Sequence, residues 1–439
     1  MGYIEGYGSA VSIAAGEAIS IHVSTDCADY SLEVFREGVE LRSMLREEKL
    51  KGAEHPVPEE AWSNGCGWPV AYTLKVPSDW PSGAYRVRLS VKNVGDRYQR
   101  WGASTAEHDI LFVIRAVRPG SSSPILLELC TNTYAAYNNW GGHSLYGYNS
   151  KDKLKAARVS FNRPGLGYYG SCRITRWETH FIQWCDRNNI KLEYATNYDL
   201  ESHPEILSKY KLICSVGHDE YWSWPMRDNI ERYIGDGGNV AFMTGNAVCW
   251  QVRFEDSGRT MRCHKEASDA DPLYHTEQRH LTTARWNVPP VNRPENTLTG
   301  VGWDYGGYHR SHGMHMDGSG AYTVKRANHW VYEGTGLKDG DAFGGADTIV
   351  GYETDGCLFA IGDDGKPHPT GKDGTPLNFE IVAQAPAASF AGHDGTACMG
   401  VYQRGGTVFT AGTTDWAHGL DRDAVVQRIT KNLIQRLAK

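Results

Sequence analysis

The chain has 439 residues, 45 Lys and Arg against 52 Asp and Glu, a formal net charge of −7 and 40% apolar residues. That length provides for two or three domains, each with a sizeable core. The acidic balance, with no basic block, argues against a nucleic-acid partner, and no apolar run approaches the roughly 20 residues that span a bilayer.

Met1 to Glu5 lack the basic and apolar regions of a secretory signal, so a cytoplasmic location is expected. Ten cysteines without a CxxC pair predict reduced, mostly buried thiols. The 14 Trp, 24 Tyr and 49 Gly predict aromatic-lined loops and many turns.

Residues 1–118 read as β-structure. Ala18 to Ser24, Ser31 to Phe35 and Tyr85 to Val91 alternate apolar and polar residues, as half-buried strands do, and His108 to Ile114 closes the series. Short strands between turn signals predict an immunoglobulin-like β-sandwich. Arg118 to Pro124 reads as a linker. The period then changes. Ile125 to Leu129 is continuously apolar, the pattern of a strand covered on both faces. A helix over Arg176 to Asn188, a strand over Lys191 to Ala195, a strand over Leu212 to Val216, a helix over 225–235 and a strand over Asn239 to Met243 follow. This alternation predicts an α/β domain over 124–439 with a parallel sheet. Residues 250–345 lack a clear period and read as long insertions over the sheet. A strand over Gly406 to Gly412 and an amphipathic helix over Arg422 to Leu437 end the chain.

The densest chemistry lies in Val216-Gly217-His218-Asp219-Glu220-Tyr221-Trp222-Ser223-Trp224, between a strand and a helix. Such a turn presents side chains at the carboxyl end of a sheet, where open α/β proteins bind ligands. Cys214, three residues before the turn, offers a nucleophile, although a position within the strand predicts burial. Asn138 and Asn139 follow the first sheet strand and offer amide donors or loop braces. His309, His312 and His315 recur at intervals of three, and Cys263-His264 forms a further pair; aromatic packing and solvation are the ordinary roles for such residues.

Three segments carry a resemblance: Thr133 to Gly142 followed by Ser144-Leu145-Tyr146, Gly217 to Ser223, and Trp80 to Arg86. Over nearly the whole chain, from about residue 15, the sequence resembles the C-terminal region of the large (beta) subunit of N,N-dimethylformamidase and its relatives. The resemblance implies a glutamine-amidotransferase-like, flavodoxin-like sheet domain. It also implies hydrolysis of an N-substituted formamide at a mononuclear ferric site held by two tyrosines and a glutamate, with a histidine two residues before that glutamate. Carried over, Tyr221 is one tyrosine ligand, His180 stands where the second would be, and His275-Thr276-Glu277 keeps the His-x-Glu spacing.

The expected site is therefore a metal held by Tyr221, His180 and Glu277. His275 is the favoured base, with His218 and Glu220 as alternatives. Iron is the expected metal. An imidazole in place of a phenolate also admits zinc or manganese. The expected function is metal-assisted hydrolysis of a carbon–nitrogen bond in a small amide, whose carbonyl the metal polarises for attack by water. Alternatives are a non-catalytic binding module and a cysteine-nucleophile amidase. Homo-oligomerisation is left open.

Overall fold

The computed structural model describes residues 2–92, 105–311, 314–315, 320–388 and 394–439. The alternating segments before residue 116 form two sheets. Ile4–Gly8, Ala18–Thr25 and Val70–Lys75 make a three-stranded sheet. Ser12–Ala14, Thr105–Arg115, Gly83–Lys92, Asp29–Arg36 and Arg42–Lys51 make a five-stranded one. Period-2 alternation explains the arrangement, because it sends every second side chain to one face. Ile19, Ile21 and Val23 from one sheet and Leu32, Val34, Val87 and Leu89 from the other meet in one apolar core.

Beyond the linker stands a nine-stranded sheet. Its order is Glu193–Thr196, Ile125–Leu129, Leu212–Gly217, Asn239–Thr244, Gly406–Thr410, Asp394–Arg404, Glu380–Ala388, Tyr322–Val324, Ala342–Phe343. The first five strands pair in parallel. The remaining pairings are antiparallel. The protein is thus sheet-rich α/β with a mixed sheet, not the wholly parallel one the alternation predicts. Connection length is the reason. Parallel neighbours need long crossovers, supplied here by helices such as Glu178–Arg187 and Trp224–Gly235, whereas Asp394–Arg404 turns directly into Gly406–Thr410 through Gly405 at φ 79°. The stretch 250–345 is also more regular than predicted. Trp250–Glu255 pairs with Tyr221–Ser223 and with Thr260–Arg262, and Tyr322–Val324 enters the main sheet.

Continuous apolar runs match burial on both faces. Leu127, Cys214, Ala241 and Phe409 point into one core, while their neighbours Leu126, Ile213, Val240 and Val408 point into another. The helix Ala424–Leu437 covers the first face with Val426, Ile429 and Leu433, and Trp224–Gly235 covers the second with Met226, Ile230 and Ile234. Ala84, Leu111 and Val113 join the first core, which seats the N-terminal strands against the sheet. Among the described residues no helix is long and apolar enough to cross a membrane.

The strand Leu212–Gly217 ends in a residue at φ 88°, and a Cβ on Gly217 would lie 2.5 Å from the Trp177 Cβ. Both the left-handed backbone and the contact require glycine. Gly217→Ala is expected to cost roughly 2–5 kcal/mol from strain and overpacking together, read as a lowered denaturant midpoint. An unchanged midpoint would show that the turn relaxes freely.

Candidate functional site

The turn after Gly217 is anchored on both sides. Its backbone is fixed by Gly245 N–H to Gly217 O at 3.1 Å, Val248 N–H to Asp219 O at 2.8 Å and Trp250 N–H to Glu220 O at 2.9 Å. Glu220 N–H donates to Thr133 Oγ1 at 3.1 Å. The following helix starts on Ser223, whose Oγ accepts from Met226 N–H, with Pro225 in the first turn. Anchoring of this kind holds His218, Asp219 and Glu220 in place although all three are buried.

His218 is the centre. Its Nε2 lies 3.2 Å from Glu220 Oε2 and 3.1 Å from Glu353 Oε2, and its Nδ1 lies 3.1 Å from Gly245 O. Burial pulls the imidazole pKa down, but the charges of Glu353 and Glu220 outweigh it and hold the group at about 9. Glu353 is pushed up to about 7 by burial, against the pull of His218. For Glu220 burial acts upward, yet His218 and Lys265 outweigh it and keep its carboxyl below the ordinary value. The Tyr146 hydroxyl donates to both Glu220 oxygens at 2.9 and 2.8 Å, and Trp250 Nε1–H donates to Oε1 at 2.8 Å.

A hydroxyl chain leads away from Glu220. Tyr221 donates to the Tyr146 oxygen at 2.6 Å, and the Lys265 ammonium donates to the Tyr221 oxygen at 3.1 Å. Lys265 Nζ sits 3.5 Å from the Tyr146 ring centroid and 4.6 Å from that of Trp250. The Tyr137 ring packs at a tilt against that of Tyr146, centroids 4.1 Å apart, and its hydroxyl lies 3.4 Å from His218 Nε2. Burial, then the Glu220 charge, hold the Tyr137 and Tyr146 phenols well above their ordinary range. Above this floor opens a hollow of about 370 Å³, bounded also by Asn246, Arg285, Trp303, Tyr308 and Tyr352.

The structure brings His218, Glu220 and Tyr221 together and separates them from the other expected residues. His180 fails for a helical reason. Glu178, Phe181, Ile182 and Cys185 form the buried face of Glu178–Arg187. Two residues past Glu178 lies roughly 200° around the helix, so His180 points outward, where its Nδ1 meets Asp421 Oδ2 at 2.8 Å. His275 and Glu277 are exposed and border a different, open hollow with Arg279 and Asn292. Tyr221 is an interior link, with its hydroxyl bonded to Tyr146 and Lys265. Cys214 lies inside its strand with burial raising its pKa, so it forms no nucleophilic elbow. All ten cysteines are free, and nine are buried. His309 Nδ1 lies 2.8 Å from Pro386 O, and His312 lies outside the described residues. Asn138 braces the loop through Pro164 O, and Asn139 does so through Asn149 O.

Sequence reasoning passed over Tyr137, Tyr146, Lys265 and Glu353. The two tyrosines stand inside quoted motifs, and Lys265 follows the Cys263-His264 pair. His218-Asp219-Glu220 itself has the His-x-Glu spacing. Glu353 carries no local signal.

Beneath the turn, Glu128, Cys130 and Asp219 bring ligating atoms within 4.8 Å of one another, all buried. Asp219 accepts from Ser215 Oγ at 2.8 Å and from Asn197 Nδ2 at 2.9 Å, and Asn197 also bonds Glu128. Burial, then the Asp219 charge, push Glu128 well above the ordinary range, and burial raises Asp219 as well. None of the three lines the hollow.

A family model described as N,N-dimethylformamidase beta subunit-like, C-terminal, matches residues 31–431. The N,N-dimethylformamidase beta subunit of an Alcaligenes species is 25% identical over 452 residues, 85% of this chain and 55% of that protein. The corresponding subunit of Paracoccus aminophilus is 24% identical over 349 residues, 68% of this chain and 43% of that protein. The chain spans about half the length of the curated relatives it matches. A beta-D-glucuronidase structure from Dictyoglomus thermophilum aligns with a TM-score of 0.16 at 8% identity, over 54% of this chain and 43% of that one; this carries no fold assignment.

Two substitutions separate the site from its surroundings. His180→Ala removes a partly exposed contact with Asp421 and an edge contact with the His418 ring and is expected to cost under about 1 kcal/mol. Tyr146→Phe strips a donor from a buried carboxylate and is expected to cost about 1.5–3 kcal/mol. Urea unfolding of both variants checks the order, and the reverse ranking would remove Glu220 and Tyr146 from the centre of the site.

Proposed function

Because the chain belongs to the N,N-dimethylformamidase beta subunit-like, C-terminal family, we propose that it hydrolyses the carbon–nitrogen bond of a small N-substituted amide in the hollow above Glu220 and Glu353. The observation that carries this reading is one imidazole, His218, within 3.2 Å of two buried carboxylates at the floor of that hollow. We take residues 1–118 as an immunoglobulin-like sandwich and 124–439 as a glutamine-amidotransferase-like catalytic domain. The shared core of the two N-terminal sheets and the five parallel strands support that division.

Amide hydrolysis needs a base for water, a stabiliser for the carbonyl oxygen and a proton for the departing amine. Glu353, at about 7, matches the first and third tasks, because a group near the working pH both accepts and returns a proton. His218, at about 9, is imidazolium at neutral pH. From behind the lining it keeps Glu220 ionised. The Lys265 ammonium, in the wall itself, presents positive charge to an oxyanion. The aromatic lining limits water around these charges and strengthens their fields.

The donor chemistry fits an iron ion. The Tyr137 and Tyr146 phenols and the Glu220 carboxylate are hard oxygen donors facing one hollow, and His218 stands two residues before Glu220. Two phenols, rather than one phenol and the imidazole of His180, restore the preference for a hard trivalent ion. Bound there, the ion would polarise the amide carbonyl and lower the pKa of water.

Elemental analysis and a panel of formamides and small amides test the reading: metal bound in proportion to protein and released amine are expected. Metal-loaded protein with no turnover on any of them would overturn it. Glu353→Gln should lower kcat/KM by about 10²–10⁴-fold. The pH profile follows from the same groups. The base must be deprotonated, so kcat/KM rises through about 7, and His218 must be protonated, so it falls through about 9. A flat profile between pH 6 and 10 would remove both roles.

A further inference from the structure

We infer that the amide taken by this hollow carries an aromatic ring and a carboxylate; this rests on the hydrolase reading and narrows its substrate class. Size is the first reason. The hollow holds about 370 Å³, room for about twelve waters at about 30 Å³ each. A dimethylated formamide has five heavy atoms and leaves most of that space to water. The walls are the second reason. Seven of the fourteen lining residues are tyrosine or tryptophan, and rings of this kind bind best to another planar ring through offset or edge contacts.

The distribution of charge is the third reason. Glu220 and Glu353 share His218, so the carboxylate side of the hollow is already compensated. Two cations, Lys265 and Arg285, also stand beside Trp250. Lys265 is 4% exposed and makes one hydrogen bond, to the Tyr221 oxygen; among the described residues no carboxylate lies within 4.0 Å of its Nζ. Arg285 forms a backbone bridge to Trp250, is ion-paired through Nη2–H with Asp304, and among the described residues its buried Nε–H has no acceptor. Glu266, the other acid in the wall, pairs with Lys155 at 2.5 Å. Lys265 thus feels the charge of Glu220 but has no carboxylate in contact among the described residues, and a ligand carboxylate on this side would supply one. The amide then lies toward Glu353 and the ring between the aromatic walls. An acylated aminobenzoate or an N-acyl aromatic amino acid has this layout.

N-formylanthranilate, its methyl ester, formanilide and N,N-dimethylformamide, offered to the whole chain, separate the contributions. Binding is read by quenching of tryptophan fluorescence, and turnover by released amine. The acid is expected to bind at least tenfold more tightly than the ester, and formanilide at least tenfold more tightly than dimethylformamide. Arg285→Gln should weaken the acid at least tenfold; the ester comparison tests the same charge without a variant that has to fold. Equal binding of acid and ester overturns the carboxylate, and equal binding of formanilide and dimethylformamide overturns the ring. Tight binding of the acid with no amide cleaved supports the ligand class and removes the hydrolase reading. Turnover of dimethylformamide with no preference for the larger amides keeps the hydrolase and removes this inference.

Discussion

A single buried imidazole between two buried carboxylates organises this protein. Isolated, any of the three charges would be expelled from such an interior or neutralised there. Together, the two acids hold His218 at about 9, and His218 keeps Glu220 ionised while Glu353 rises to about 7. Two carboxyls a few ångströms from one histidine thereby acquire different protonation behaviour, the condition under which one acts as a fixed charge and the other as a proton carrier.

Much of the surrounding architecture serves that cluster. The turn must bend sharply after the strand, which Gly217 permits at φ 88° against Trp177. It must also be rigid, which the flanking segment 245–250 secures through backbone hydrogen bonds to Gly217, Asp219 and Glu220. Asn246 and Val248 in that segment adopt positive φ, 47° and 54°, and the N–H groups of Asn246 and Ala247 are held by the Asp355 carboxylate. Asp219 points the opposite way from its neighbours, into the Ser215, Asn197 and Glu128 network, and so locks the turn from below. The hydroxyl chain Lys265, Tyr221, Tyr146 then ties the insertion after Trp250 to Glu220.

Legibility in the sequence followed the range of the interactions. The strands Ile125–Leu129, Leu212–Gly217 and Asn239–Thr244 and the helix Trp224–Gly235 were readable because periodicity and capping are local signals. The antiparallel half of the sheet was not, since pairing between Glu380–Ala388 and Asp394–Arg404 depends on partners rather than on pattern. In the site, motif density pointed to His218, Glu220 and Tyr221. It misplaced the remaining expected ligands because His-x-Glu occurs four times, at 203–205, 218–220, 264–266 and 275–277, and spacing alone does not rank them. Burial does: both members are enclosed at 218–220, whereas Glu205, Glu266 and Glu277 of the others are exposed.

By itself, then, the sequence determined an all-β beginning, a sheet covered on both faces, a turn dense in titratable side chains at the end of its third strand in chain order, and membership of an amidase-related family through motifs spread along the chain. Tertiary structure decided which groups meet there. Glu353 lies 133 positions beyond Glu220 and is delivered to His218 only because the segment before Thr354–Gly356 packs beside Thr413 and Thr414 at the end of a central strand. His180 was removed by helical phase, and Tyr221 became a link in a hydroxyl chain because its oxygen is enclosed by Tyr146 and Lys265. Protonation behaviour came last of all, because it depends on burial and on the distances between charges, and neither is a property of residue order.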